Sequence, residues 1–264
     1  MGFVRDGDGL RMVDVGAVFT NPAALLAVGH VLPAALMVSG FFMAGVSAWH
    51  FRRGTGEVPF FRYSMRLGLT VGYIATFFTI GFGDAQVLWV VRNQATKLPG
   101  SDETAAVAAR MVAEHGPGNY VAPDWITIAV TVMLSVAYLY VLFALIPIVL
   151  LGHGRIEKRR FLLAVGVWTI PLPFITTIIG WVVREIGRQP WIIYDVLPTS
   201  EAVSEVSTTN MFISLVVFTS LYLTLVVVGY RLIARAARKD PDDVMLGRTL
   251  GESEDHVPEP AGER

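Results

Sequence analysis

Residues 180–191, with the sequence GWVVREIGRQPW, combine charged and aromatic side chains at one end of a long apolar segment. The charged residues are Arg184, Glu185 and Arg188. Ionisable side chains at the rim of a membrane span require a partner or a function. One interpretation is an interfacial anchor, in which the tryptophans and arginines contact lipid headgroups. The other is a cofactor site to which Glu185 contributes a ligand.

Two further side chains could bind a cofactor inside the membrane. His30 is the one histidine that lies deep within an apolar stretch, and an ionisable residue there indicates function. Eight residues separate His30 from Pro22, and eight separate Met133 from Trp125. Both side chains therefore lie roughly 12 Å into their helices. Histidine and methionine form a known axial pair for haem iron.

Small residues accompany both candidate ligands on the same helix faces. They are Ala27, Ala34, Ala129 and Ala137, each three or four residues away. Small neighbours leave room for a flat macrocycle, but the same spacing also allows membrane helices to pack closely. A single methionine is commonly an ordinary packing residue. The pattern alone leaves both a haem site and simple helix packing open.

The composition is that of a membrane protein and excludes several kinds of site. Of the 264 residues, 53% are hydrophobic and 16% are charged, whereas soluble domains have about a quarter charged. The net charge of −1 argues against nucleic acid as a partner. Because the chain has no cysteine, disulfides, thiolate metal sites, iron–sulfur clusters and c-type haem are excluded.

Five uncharged stretches are each about long enough to cross a bilayer as a helix. They are residues 22–51, 67–83 (extending to about 91), 125–153, 161–183 and 206–230. We therefore predict an all-α integral membrane protein with five transmembrane helices. Residues 1–21 are predicted to be extracytoplasmic, residues 22–230 to form the membrane domain, and residues 231–264 to form a disordered tail.

The distribution of Lys and Arg predicts the orientation of the helices. Fourteen of these residues lie in the first connection, the third connection and the tail, and seven lie on the other side. We therefore place the tail in the cytoplasm and the N-terminus outside. The second connection, about residues 92–124, and the GRQPW stretch then also face outward.

Polar residues of the outer connection could bind a polar headgroup or could simply be solvated. They are Asp84, Arg92, Lys97, Asp102, Glu103 and Glu114. Asp84 differs from the others because it interrupts an apolar helix near its outer end. A carboxylate in that position needs a partner or a hydrated cavity.

Three longer strings of residues resemble one protein family. GWVVREIGRQPW followed by IIYDVLPT is similar to the signature of subunit I of the cytochrome bd quinol oxidases. FTNPAALLAVGH, with GVSAW at residues 45–49, resembles the fifth transmembrane helix of that subunit. GD at residues 83–84 and QATKL at residues 94–98 resemble the start of its quinol loop. The resemblance covers about residues 11–230 and corresponds to helices five to nine of nine.

The resemblance implies haem ligands residue by residue. His30 and Met133 correspond to the axial ligands of a low-spin haem b. Glu185 corresponds to the ligand of a second, high-spin haem b. Trp181 and Arg188 belong to the same pocket as Glu185.

The resemblance also implies a quinol site and an electron path. Lys97 matches a quinol-loop lysine, Asp102 falls where the family has a glutamate, and Asp84 matches an aspartate ahead of it. Electrons from quinol are then expected to reach both haems b. From there they pass to an oxygen-reducing haem, haem d or a third haem, on a partner chain in the plasma membrane.

Three departures from the family pattern affect these expectations. The resemblance begins at helix five, so the chain is expected to be the second half of a split subunit I or a truncated relative. In the first case, a separate chain supplies the N-terminal half and shares the second haem. A subunit II-like chain is expected as well, and the present chain is not expected to be active alone. Only residues 98–124 separate Lys97 from Trp125, so the quinol loop is short. Thr131 occupies the position of a family arginine two residues before the axial methionine.

Two other functions remain compatible with the sequence. The chain could be a b-type cytochrome that handles quinol without an oxygen-reducing site. It could also be a non-catalytic paralogue that has kept the fold.

Overall fold

The computed structural model describes residues 2–6, 9–100, 102–152, 156–239 and 241. The predicted tail beyond these residues lies outside the described part of the chain. At the N-terminus, strands β1 (Phe3–Asp6) and β2 (Gly9–Met12) form an antiparallel hairpin. The short helix α1 (Val15–Phe19) follows them.

Long apolar helices make up most of the chain. They are α2 (Pro22–Arg53), α3 (Val58–Asn93), α5 (Trp125–Gly152), the pair α6 (Arg160–Trp168) and α7 (Pro171–Arg188), and α8 (Thr208–Ala237). With α6 and α7 counted as one span, five helical segments are long and apolar enough to cross a membrane. The prediction of five spans in a largely α-helical protein is therefore confirmed.

Local sequence signals explain where α2 begins and ends. The Asn21 side chain accepts a hydrogen bond of 2.9 Å from the Ala23 amide, and Pro22 occupies the first helical position. Both features are typical of a helix N-terminus. At the other end, Gly54 adopts a left-handed conformation with φ of 75°, which glycine tolerates without steric cost.

The predicted helix boundaries are wrong in three places. Helix α3 begins at Val58, well before residue 67, so Arg62 and Arg66 lie on a helix and not in a connection. The fourth span is divided before Pro171, because proline has no N–H to continue the helical hydrogen bonds. Helix α8 continues past residue 230 to Ala237.

Two connections contain structure that the sequence did not predict. A 3-10 helix (Ala95–Lys97) and helix α4 (Asp102–His115) lie between α3 and α5. After α7, strands β3 (Trp191–Ile193) and β4 (Leu197–Pro198) form a second hairpin. We refer to the end of the helix bundle that carries these elements as the α4 end.

Helices α2, α3, α5, α6 and α7 pack together, with α2 in contact with α3, α6 and α7. The buried core contains Met37, Phe41, Ala44, Ala48, Met65, Leu69, Tyr140, Ala144 and Leu163. At the end of the bundle opposite the α4 end, Arg62 forms an ion pair with Glu157 at 2.5 Å. None of the residues of α8 is buried, and His50 Nε2 contacts the carbonyl oxygen of Ala237 at 2.9 Å.

Glycines allow the backbones of α2 and α3 to touch. A Cβ added to Gly40 would lie 2.6 Å from the carbonyl oxygen of Gly68 and 2.6 Å from the amide nitrogen of Gly72. A Cβ added to Gly68 would lie 2.6 Å from the carbonyl oxygen of Gly40. These contacts involve rigid backbone atoms, so any larger residue would force the helices apart.

We therefore expect Gly40→Ala to lower the stability of the protein by at least about 1–3 kcal/mol through overpacking. Thermal unfolding of the detergent-purified protein measures the change. Gly81→Ala on α3 is the matched control, because nothing lies within 4 Å of a Cβ at that position. The control should be neutral or slightly stabilising, since alanine favours helix over glycine. Equal melting temperatures for the two variants would contradict the close packing of α2 and α3.

Candidate functional site

His30 extends from α2 towards α3 and has a defined protonation pattern. Its Nδ1 atom lies 2.9 Å from the backbone carbonyl oxygen of Thr79. A carbonyl oxygen can only accept, so Nδ1 carries the proton and donates it. The Nε2 atom of the neutral ring then keeps a free lone pair. A ring fixed through Nδ1 in this way is the usual form of a metal-binding histidine.

The His30 ring can lie close to α3 because residue 83 is a glycine. A Cβ added to Gly83 would lie 3.1 Å from both Cε1 and Nδ1 of His30. Gly83 follows Thr79 by one helical turn, so the hydrogen-bond acceptor and the glycine against which the ring packs lie on one face of α3.

Met133 faces a glycine in the same manner. The half-buried Met133 side chain extends from α5 towards α7, and a Cβ added to Gly180 would lie 3.2 Å from its Sδ atom. His30 and Met133 therefore lie on two helix pairs, α2–α3 and α5–α7, which pack together in one bundle. A neutral imidazole and a thioether, each packed against a glycine, fit the donor set of a haem iron.

The end of α7 concentrates charge at the α4 end. Arg188 Nη2 lies 2.5 Å from Glu185 Oε2, one helical turn away. Within the described part of the chain, Arg188 Nε is buried without a hydrogen-bond partner. Arg184 lies close enough to His30 and to Lys97 for the charges to interact. Positive charge therefore exceeds negative charge around Glu185.

Lys97, at the end of the 3-10 helix, belongs to this charged region. Burial lowers the pKa of Lys97 to about 8, and the positive charges of Arg184 and Arg188 contribute to the shift. The Lys97 ammonium lies 5.5 Å from the centre of the Tyr194 ring. The structure thus brings Lys97 together with the arginines on either side of Glu185.

Of three other predicted residues, two are exposed and the third has a side chain outside the described part of the chain. Asp84 is exposed on α3 and has no hydrogen bond or ion pair within the described residues. Trp181 is 63% exposed. Asp102 is the first residue of α4, and its side chain lies outside the described part of the chain.

Trp191 is a packing residue and does not anchor the chain at lipid headgroups. Its side chain is 1% exposed and lies against the rings of His115 and Tyr120, at centroid distances of 4.8 and 5.5 Å. These contacts fix the β3–β4 hairpin against α4. For Trp191, the anchoring interpretation of the sequence is therefore wrong.

A second polar group at the α4 end was missed by the sequence analysis. Ligand atoms of Glu114, His115 and Asp195 lie within 4.8 Å of one another. Arg110 donates to Glu114 at 2.8 Å and to Asp195 at 2.7 Å, and these carboxylates raise the pKa of Arg110. Arg110 offsets part of their negative charge, and the group forms an ion-pair cluster. Asp195 lies 80 residues from His115, and no local pattern connects the two.

The contacts of Gly83 with His30 and of Gly180 with Met133, and the role of the Thr79 carbonyl, were not predicted from the sequence. The only available signal was small residues at helical spacing, which membrane helices use generally.

Comparison with known proteins identifies the family. The family described as "Cytochrome bd terminal oxidase subunit I" matches residues 1–113 and 112–241. The chain is 26% identical over 253 residues to "Cytochrome bd ubiquinol oxidase subunit 1" of Bacillus subtilis (strain 168), covering 77% of the chain and 54% of the relative. It is 40% identical over 77 residues to "Cytochrome bd-II ubiquinol oxidase subunit 1" of Escherichia coli (strain K12), covering 29% of the chain and 15% of the relative.

A solved structure shares the fold. "The structure of bd oxidase from Geobacillus thermodenitrificans" superposes with a TM-score of 0.72 at 21% identity, over 91% of this chain and 64% of the other. The chain spans about half the length of the Bacillus subtilis relative. Because the family match covers all but the last residues, the protein belongs to the cytochrome bd terminal oxidase subunit I family.

Proposed function

We propose that the chain is a haem-b-binding membrane subunit of a cytochrome bd-type quinol oxidase. The observation that carries this proposal is His30, whose Nδ1 is committed to the Thr79 carbonyl and whose Nε2 is available inside a membrane helix pair. Membership of the family supplies the context in which such a histidine is a haem ligand.

His30 and Met133 are proposed to hold a low-spin haem b, and Glu185 a second, high-spin haem b. When bound, haem groups exchange single electrons between quinol and the site of oxygen reduction. The Thr79 carbonyl keeps the His30 ring in one tautomer and orientation. Gly83 and Gly180 allow these two side chains to lie close against α3 and α7.

The arginines around Glu185 are proposed to balance charge in the second haem site. Arg188 neutralises Glu185 through a direct ion pair. Arg184 then remains to attract other anionic groups, and Arg188 Nε still lacks an acceptor among the described residues. Trp181 is proposed to line the same pocket, on a part of α7 that is exposed in the isolated chain.

Quinol is proposed to bind at the α4 end, next to Lys97. A protonated lysine can donate a hydrogen bond to a quinol oxygen. Asp102 and Asp84 are proposed to contribute carboxylates, with Asp102 on α4 close in sequence to Lys97. Protons released from quinol would leave on this side of the membrane, so the α4 end is proposed to face outward.

Partner chains are proposed to complete the oxidase. The chain covers 54% of the Bacillus subtilis subunit. A partner chain that supplies the remaining family helices is proposed. That chain would share the second haem and hold the oxygen-reducing haem, which is haem d or a third haem. A subunit II-like chain and the lipids of the plasma membrane are the other proposed partners.

Replacing His30 tests the low-spin haem site directly. In the complex purified with its partners, His30→Ala should remove the low-spin haem b band from the reduced-minus-oxidised spectrum and leave the high-spin signal. His115→Ala is the control, because that imidazole lies in the ion-pair cluster at the α4 end. A low-spin band that survives His30→Ala would show that another residue ligates this haem.

The pKa of Lys97 predicts how quinol binding depends on pH. Lys97 is charged below about pH 8 and neutral above it, so the KM for quinol should rise as the pH increases through about 8. The charged groups around it are Arg184 and Arg188, and the latter is paired with Glu185. Lys97→Arg keeps its charge throughout this range and should remove the pH dependence. A rise in KM of the same size in Lys97→Arg would assign the titration to another group.

Labelling of introduced cysteines tests the proposed orientation. The natural chain has no cysteine, so single-cysteine variants need no background substitutions. In intact cells, a membrane-impermeant maleimide should label Glu103→Cys on α4 and should not label Lys158→Cys at the opposite end. Both wild-type side chains are exposed. The reverse labelling pattern would invert the topology.

A further inference from the structure

Tyr194 connects the β3–β4 hairpin to the segment that carries Lys97. The Tyr194 hydroxyl lies 2.9 Å from Thr96 Oγ1, and the Thr96 amide donates to the same hydroxyl oxygen at 3.4 Å. The two residues are 98 positions apart in the chain. A single phenol therefore contacts both the side chain and the backbone of the residue before Lys97.

The backbone around Thr96 is fixed from other directions as well. Thr96 is 1% exposed, and the backbone carbonyl oxygen of Thr96 accepts a hydrogen bond of 2.8 Å from the Ala122 amide. The carbonyl oxygen of Ala95 accepts a hydrogen bond of 3.2 Å from the Thr104 hydroxyl. Hydrogen bonds to Tyr194, Ala122 and Thr104 therefore hold the backbone of the two residues before Lys97.

The Tyr194 ring holds the end of that side chain. The Lys97 ammonium lies 5.5 Å from the ring centre, within the range of a cation–π interaction. Arg184 and Arg188 repel the ammonium from the α7 side. Without an attractive group, this repulsion would favour rotamers that carry the ammonium away from α7. The Tyr194 ring attracts the ammonium and so opposes this repulsion.

We propose that Tyr194 is a positioning residue for Lys97 in the quinol site. Its hydroxyl fixes the 3-10 helix through Thr96, and its ring retains the ammonium beside the arginines. This inference rests on the proposed role of Lys97 in quinol binding.

The test measures steady-state quinol oxidation by the purified complex. The substrates are two short-chain probes, a reduced ubiquinone analogue and a reduced menaquinone analogue. Tyr194→Leu removes both ring and hydroxyl, and should raise the KM for the accepted quinol by about fivefold to tenfold with little change in kcat. Tyr194→Phe keeps the ring and should raise the KM by about twofold. Haem spectra should be unchanged in both variants.

Tyr120→Phe is the matched control for loss of a phenol hydroxyl at the α4 end. The Tyr120 hydroxyl donates to the Gly116 carbonyl oxygen at 3.1 Å, and its ring stacks on Trp191. This variant should leave the KM unchanged. A change equal to that of Tyr194→Phe would indicate a general effect on the α4 end and would overturn the positioning role.

A double variant separates the positioning role from the proposed function itself. If Tyr194 acts through Lys97, Tyr194→Leu should have no further effect on KM in a Lys97→Gln background. If the effects of the two substitutions on KM multiply, Tyr194 acts independently of Lys97 and the positioning role is overturned. The proposed role of Lys97 in quinol binding would then still stand. An unchanged KM in Lys97→Gln alone would overturn the quinol role of Lys97, and the inference about Tyr194 with it.

Discussion

The direct backbone contact between α2 and α3 is the constraint on which the candidate site depends. Gly40 and Gly68 bring the two helices so close that a methyl group on either residue has no room. Contact between rigid backbones fixes both the distance and the register of the helices. With this register, His30 on α2 meets the carbonyl oxygen of Thr79 on α3. The orientation of the proposed haem ligand is thus a consequence of helix packing some ten residues away.

That hydrogen bond also uses a backbone group that would otherwise bond only within its own helix. The Thr79 hydroxyl donates to Ala75, one turn earlier, so it does not compete for the His30 ring. Because the acceptor is a main-chain carbonyl, no side-chain substitution at residue 79 removes it. The tautomer of His30 is therefore set by the helix pair itself.

Charged side chains are concentrated at the α4 end of the candidate site. Lys97, Arg184 and Arg188 gather at the α4 end, where Glu185 forms an ion pair with Arg188. Burial lowers the pKa of Lys97 most, and the positive charges of Arg184 and Arg188 lower it further. Anionic groups of a bound cofactor would offset the excess. Trp191 and Tyr194 hold the hairpin next to this region through packing and hydrogen bonding.

The sequence by itself determined the membrane class, the number of spans and the family, since apolar length and the long GRQPW string are local properties of the chain. It also singled out His30 and Glu185, because imidazole and carboxylate groups are uncommon in such surroundings, and Met133 through its spacing and the family resemblance. It could not determine helix ends, where basic residues such as Arg62 and Arg231 continue a helix beyond the apolar stretch.

Only the tertiary structure decided which groups meet. No local pattern distinguishes Thr79 or Tyr194 from other residues of their type. Thr79 contacts His30, which lies 49 positions away, and Tyr194 contacts Thr96, which lies 98 positions away. Trp191 changed from an expected lipid anchor to a buried residue because α4 supplied the rings that cover it. Contacts of this kind depend on how helices pack across the bundle, and a linear sequence records composition and spacing but not which faces come together.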